Sequence, residues 1–181
     1  MLSAHLLSPA EADAAEGLRA LYESAFPPEE RIPWSDLLVL AGTMPLEFCE
    51  YREDGELQGF TIVHPRPRLS WFWYFAVPPE KRGRGIGERI LALLCARCGD
   101  RSMVLDMEDP AQPDAPNPLV RARRRRFYLR HGFRDTGVGR RFGPVAMTIM
   151  LRGEDTFTSA DYDELLDELR RHWSGMPKPR A

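Results

Sequence analysis

Apolar residues recur along this chain in two rhythms, one helical and one extended. Leu18, Leu21, Tyr22 and Phe26 fall at helical spacing. They predict a helix starting at Ser8, where Pro9 suits the first turn and Glu11 completes a capping box. Phe26-Pro27-Pro28 ends it, and Ile32-Pro33-Trp34-Ser35 restarts a shorter helix to about residue 41. A short strand at residues 5–7 precedes them. Residues 48–51 and 57–63 flank the acidic turn Glu53-Asp54-Gly55 and predict an antiparallel hairpin. Residues 69–77 read Leu-Ser-Trp-Phe-Trp-Tyr-Phe-Ala-Val, apolar at odd and even positions alike, which predicts a central strand covered on both faces.

The second half alternates in the same way. Ile86, Ile90, Leu91, Leu93 and Leu94 support a helix ending at Gly99, and residues 103–107 make another apolar strand. Strand, helix and strand over this length form a βαβ unit, so these two strands are expected to run parallel with a right-handed crossover. Proline keeps residues 109–118 irregular. A basic helix at 119–131 stops at Gly132, and strands at 133–142 and 145–151 meet at Gly143-Pro144. Thr158 or Ser159 caps a last helix, 160–172, before a polar tail, 175–181, expected to be mobile. No repeat or long linker divides the chain, which predicts a single domain over 1–174.

Composition narrows the class. A length of 181 residues with 43% hydrophobic and 29% charged positions is the profile of one soluble domain with its own core. The net charge of −2 argues against a protein built mainly to coat nucleic acid, although arginines gather between 121 and 141. No signal segment or membrane-length apolar run is present, and three cysteines, an odd number, suit a reducing compartment. A cytoplasmic location without membrane attachment is therefore expected. Cys95-x-x-Cys98 lacks a second ligand pair, so no metal site is expected and buried thiols are favoured. His64, among prolines, is expected in an exposed loop.

The segment Val-Pro-Pro-Glu-Lys-Arg-Gly-Arg-Gly-Ile-Gly-Glu-Arg-Ile, residues 77–90, carries the candidate chemistry. Free amides at a helix start attract anions, and glycines let a phosphate approach without a Cβ in the way. Arg82 and Arg84 add charge-assisted donors. Gly83, Gly85 and Gly87 do not match the dinucleotide fingerprint, and without Gly-Lys-Ser/Thr the segment is not a nucleoside-triphosphate loop.

Val77-x-Pro79-x-x-Arg82-Gly83-x-Gly85-x-Gly87 resembles the acyl-CoA-binding signature Arg/Gln-x-x-Gly-x-Gly/Ala of the GCN5-related N-acetyltransferase (GNAT) family. Phe127-Tyr128-Leu-Arg-His-Gly132-Phe133 is similar to the family's Tyr-x-x-x-Gly-Phe. Phe-Pro-Pro-Glu-Glu-Arg at 26–31 and the acid Glu108 after the fifth strand look like a poorly characterised bacterial branch, with the last helix an addition to the core. The resemblance implies a mixed α/β fold of about seven strands, with two central parallel strands splayed apart and helices on both faces.

It also implies a site. Acetyl-CoA is the expected acyl donor, held by the backbone of Phe75, Ala76 and Val77, by Arg82, Gly83, Arg84, Gly85, Ile86 and Gly87, and by Arg124. A primary amine, on a small molecule or a peptide, would attack the thioester directly. Tyr128 would protonate the departing thiolate. An ammonium near pKa 10.4 must first lose a proton, and Glu108 is the candidate base with Asp106 in reserve; the other reading makes Glu108 an ion-pair partner of neighbouring arginines. Glu29 and Glu30 could receive the cationic amine. Position 121 is arginine where many members carry asparagine, and Asn117 lies in the preceding segment. The alternatives are a non-catalytic acyl-CoA-binding or regulatory module, and an arginine-helix nucleic-acid binder, less favoured because no aromatics interleave for base stacking. A homodimer is compatible with the sequence.

Overall fold

A computed structural model describes residues 1–113 and 115–175, apart from the side chain of Glu29. Its backbone divides into two compact units, Met1–Gly99 and Asp100–Ala181.

The first unit opens with β1 (Ser3–Leu7), α1 (Pro9–Ala14), α2 (Glu16–Ala25) and α3 (Trp34–Ala41). The Ser8–Glu11 capping box is formed. The single helix expected over 8–26 is two, because Ala15 leaves helical geometry at φ −82° and ψ 73°. Its carbonyl then accepts from the amides of Leu18 and Arg19 and starts the second helix. A run of good helix formers hides such a break from the sequence. Leu18, Leu21 and Tyr22 of α2 are buried, as are Trp34, Leu37 and Leu40 of α3.

Strands β2 (Glu47–Glu53), β3 (Glu56–Pro65) and β4 (Leu69–Ala76) follow. With β1 they form antiparallel neighbours in the order β1-β2-β3-β4. The register of β3 on β4 shifts between Ile62, opposite Tyr74, and Val63, opposite Phe72, so Trp73 is the extra residue of a bulge. His64 corrects the sequence reading. It lies inside β3 opposite Trp71, is 1% exposed, and turns Nδ1 to the Pro45 carbonyl at 2.9 Å. Pro65 extends the strand rather than ending it, because it pairs with Ser70 at the strand's last position. Beyond β4 comes α4 (Ile86–Cys98), whose Ile86 and Ile90 pack with Leu2, Cys49, Tyr51 and Val77.

The second unit holds β5 (Ser102–Glu108), α5 (Pro118–Arg130), β6 (Arg134–Phe142), β7 (Val145–Arg152) and α6 (Ser159–His172). Its strands run in the order β5-β7-β6, each pair antiparallel, with Met103 opposite Arg152 and Glu108 opposite Met147. Thr158 and Asp161 form the capping box of α6, which buries Tyr162, Leu165, Leu166 and Leu169. The tail expected to be mobile lies outside the described residues from 176 onward. No helix among the described residues is long and apolar enough to cross a membrane.

Candidate functional site

The glycine loop is built from the end of β4 forward. Pro79–Lys81 makes one tight turn, then Arg82 is extended, and Gly83 and Gly85 take φ 78° and 75°. L side chains avoid this left-handed region, so glycine is required at both places. A Cβ added at either would meet nothing within 4 Å, so both face open space. Gly85 is the N-cap of α4 and no side chain caps the helix. The first-turn amides are therefore left to an outside acceptor, at the end of the helix where the dipole favours negative charge.

The rest of the loop is braced. Lys81 Nζ donates to the Leu57 carbonyl at 2.8 Å and pairs with Glu56 at 3.0 Å. Arg82 Nε donates to the Val77 carbonyl at 3.0 Å, tying the loop to the end of β4, while Arg82 and Arg84 remain exposed. The predicted cofactor residues thus divide by role. Ala76, Val77 and Ile86 bury their side chains in the core and leave only backbone to a ligand. Phe75 is half-buried, and Gly87 lies in the first turn of α4. Gly59 was not singled out in the sequence. A Cβ there would stand 2.6 Å from the Ala76 carbonyl and 2.7 Å from Ile90 Cδ1, so its bareness lets β3 pass close to the end of β4 and to α4.

The connection from α2 to α3 carries the candidate amine-binding acids. Glu30 is exposed, and the Glu29 side chain lies outside the described residues. This connection is stitched to α2 and β4 through one residue: the Tyr22 hydroxyl donates to the Ile32 carbonyl at 2.7 Å, and the Ile32 amide donates to the Tyr74 hydroxyl at 3.0 Å. Arg31 Nη1 holds the Glu23 and Phe26 carbonyls at 2.7 and 2.5 Å.

In the second unit the motif ending in Gly-Phe has a plain physical basis. Gly132, at φ 82°, turns the chain back after α5, and the Phe133 amide donates to the Tyr128 carbonyl at 3.1 Å. Phe133 then packs edge-on against Tyr128, ring centroids 5.3 Å apart. Burial pushes the Tyr128 hydroxyl up to about 12, with the Arg124 charge acting in the opposite sense.

Glu108 is buried, and both its oxygens face guanidinium groups. Arg121 Nη2 reaches Oε1 at 2.6 Å, and Arg124 Nη1 reaches Oε2 at 3.2 Å. These are the ion pairs with neighbouring arginines that one of its two readings expects. Arg121, 2% exposed, also donates from Nε to Asn117 Oδ1 at 2.8 Å, and from Nη1 to Gln112 Oε1 at 3.1 Å and the Asp109 carbonyl at 3.3 Å. Gln112 in turn accepts from the Ala146 amide at 2.8 Å and donates to the Pro144 carbonyl at 3.0 Å. A buried arginine thereby gathers the proline-rich connection onto β7, satisfying polar groups that would otherwise be costly to bury. Gln112 carried no signal in sequence, because its partner lies in another element, whereas Asn117 stands at the N-cap of α5 and meets Arg121 one turn along the same helix. Asp106, the reserve base, faces the Tyr162 hydroxyl of α6, which burial and that carboxylate hold protonated. Arg125 pairs with Asp135 on β6. A separate cavity of about 390 Å³, lined by Asp109, Pro110, Ala111, Arg125, Asp135 and Thr148, involves none of the predicted chemistry residues.

Comparison with known proteins places these features. The sequence profile of the GNAT acetyltransferase domain matches residues 46–135, which span the glycine loop, Glu108, Tyr128 and Gly132-Phe133. No curated protein sequence matches the chain. Among solved structures, a Bacteroides thetaiotaomicron protein assigned to the GNAT acetyltransferases is 23% identical with a TM-score of 0.74, covering 93% of this chain and 96% of that one. The ribosomal-protein-S18-alanine N-acetyltransferase of Escherichia coli is 18% identical with a TM-score of 0.64, covering 88% and 97%. An aminoglycoside 6′-N-acetyltransferase complexed with coenzyme A is 15% identical with a TM-score of 0.63, covering 83% and 96%. The seven-stranded mixed α/β fold expected from the motifs is the fold these structures share. With an acetyltransferase profile lying over an uncapped glycine loop and a Tyr-x-x-x-Gly-Phe turn, this chain belongs to the GCN5-related N-acetyltransferase family.

Proposed function

We propose that this enzyme takes an acetyl group from acetyl-CoA and transfers it by direct attack of a primary amine, on a small molecule or a peptide. The observation that carries the reading is the start of α4: uncapped amides, two left-handed glycines facing open space, and exposed Arg82 and Arg84 beside them. This is a receptor for a diphosphate, and coenzyme A supplies one together with an activated thioester. Residues 82–87 would hold the phosphates, with the backbone of Phe75, Ala76 and Val77 and the Arg124 guanidinium as further contacts.

Tyr128 is assigned as the acid. Its hydroxyl stays protonated at neutral pH, so it has a proton to give to a departing thiolate. Glu30 of the braced α2–α3 connection, with its neighbour Glu29, is the proposed attraction for a cationic acceptor. Two of the similar structures are named for acetylating an alanine of a ribosomal protein and an aminoglycoside, and each acceptor offers an amine. A cytoplasmic location is proposed from the odd number of cysteines, three, which suits a reducing compartment. Nucleic acid is not proposed as a partner, and a homodimer is left to measurement of solution mass.

The test is thiol release from acetyl-CoA with a panel of peptide N-termini, lysine peptides, polyamines and aminoglycosides. Release that depends on the amine, with the acetylated product found by mass spectrometry, is expected. Calorimetric binding of coenzyme A without release across the panel would overturn acetyl transfer to these acceptors.

A further inference from the structure

Glu108 is placed to hold rather than to accept. Its carboxylate lies between a wholly buried guanidinium, Arg121, and a part-exposed one, Arg124, whose side chain is 40% exposed. Arg121 cannot swing away, because Asn117, Gln112 and the Asp109 carbonyl fix it from other directions. Glu108 is therefore a rigid anchor, and through Oε2 it sets the position of Arg124. Arg124 stands four residues, one helical turn, before Tyr128 on α5, the spacing at which side chains lie on the same face. The sequence put Arg124 among the cofactor contacts and left Tyr128 to act alone. The geometry joins them.

We propose that Arg124 is a positioning residue for the Tyr128 proton: anchored by Glu108 and Arg121, its guanidinium stabilises the phenolate left when Tyr128 gives up its hydrogen. The inference rests on the assignment of Tyr128 as the acid. In the step, the O–H bond of Tyr128 breaks and an S–H bond forms on coenzyme A, so negative charge moves from sulfur to the phenol oxygen. The proton shed by the attacking amine returns to the phenol through solvent, and the sum is amide plus thiol. A buried phenolate needs a nearby cation, since burial alone opposes the charged form.

The aromatic rings packed against Tyr128 carry no charge. They are those of Phe127 and Phe133, and His131, three residues on, directs Nδ1 to the Phe127 carbonyl at 2.7 Å. Opposition to the burial effect at Tyr128 comes from Arg124.

The experiment places a fluorinated tyrosine at position 128 of the full chain, which makes the phenol more acidic and brings its titration into a range the fold survives. Ionisation is followed by fluorine NMR. In Arg124→Met the midpoint is expected to rise by about one pH unit, and in Arg124→Lys to return most of the way, as a charge effect requires. A midpoint unmoved in Arg124→Met, or raised equally in Arg124→Lys, overturns the inference and leaves the assignment of Tyr128 standing. A second measurement separates the two. With any amine that turns over, Arg124→Met should slow the maximal rate in the parent but cause no further loss on a Tyr128→Phe background. If Tyr128→Phe itself turns over at the parent rate, the assignment of the acid fails, and the inference with it.

Discussion

Glu108 and Arg121 meet at 2.6 Å with side chains 6% and 2% exposed, an ion pair buried within the second unit. Removing Arg121 leaves Glu108 only the part-exposed Arg124 as a partner. Arg121→Met should lower unfolding stability by about 3–5 kcal/mol in urea, the range for breaking a buried ion pair. Combining it with Glu108→Gln should recover part of that loss. If the double variant is as unstable as the sum of the singles, the pair is not the source.

Coenzyme A binding should depend on Gly85. Gly85→Glu puts a charged side chain into the open space at the start of α4, and affinity by calorimetry should fall about tenfold or more, a change of at least ~1.4 kcal/mol. Gly85→Ala is the control. It shares the backbone strain at φ 75° without the charge, so it should lose less.

Tyr128→Phe should reduce the maximal rate by about 10²-fold or more, the lower range for loss of a general acid, with little change in coenzyme A affinity. Its ring contacts with Phe127 and Phe133 remain, so a matching melting temperature is expected. A rate equal to the parent would make the tyrosine a packing residue.

A single methyl at Gly59 should be costly. The added Cβ would press on the Ala76 carbonyl and Ile90, and backbone cannot step aside as a flexible side chain can, so Gly59→Ala should destabilise by about 1–3 kcal/mol. Coenzyme A affinity should fall with it, because Ala76 leads into the glycine loop. Chemical denaturation and calorimetry on the same sample measure both.

The cap of α6 gives a pH dependence with a definite sign. Hydrogen bonds from the Thr158 side chain and backbone hold the Asp161 carboxyl below its ordinary value of 3.8. A depressed carboxylate stabilises the fold above its unfolded value, and that contribution is lost as pH falls through the folded one. Hydrogen exchange at the start of α6 should therefore quicken as pH drops below about 4 after correction for intrinsic rates. Asp161→Asn should remove the pH dependence of that protection.

How much of this was legible before folding can be judged residue by residue. The Ser8–Glu11 box and the stop at Gly132 were read correctly, and the expected cap at Thr158 or Ser159 proved to be Thr158. Each depends on neighbours within a few positions. The break at Ala15 was missed, since no residue there disfavours a helix. His64 was misplaced because nearby prolines suggested a loop, whereas pairing with Trp71 and Ser70 carries β3 through His64 as far as Pro65. The glycine loop was recognisable because the left-handed backbone at Gly83 and Gly85 forces a residue type at fixed spacing.

By itself, then, the sequence determined most of the helices and strands, the bare loop at the start of α4 and the tyrosine before Gly132-Phe133, all of which are legible in residues close together along the chain. Only the tertiary structure decided that Glu108 faces Arg121 and Arg124, that Gln112 serves a buried guanidinium, and that Gly59 must stay bare. Those facts depend on which side chains meet across elements, and a charge or a missing Cβ acquires its role only from the partner that folding brings beside it.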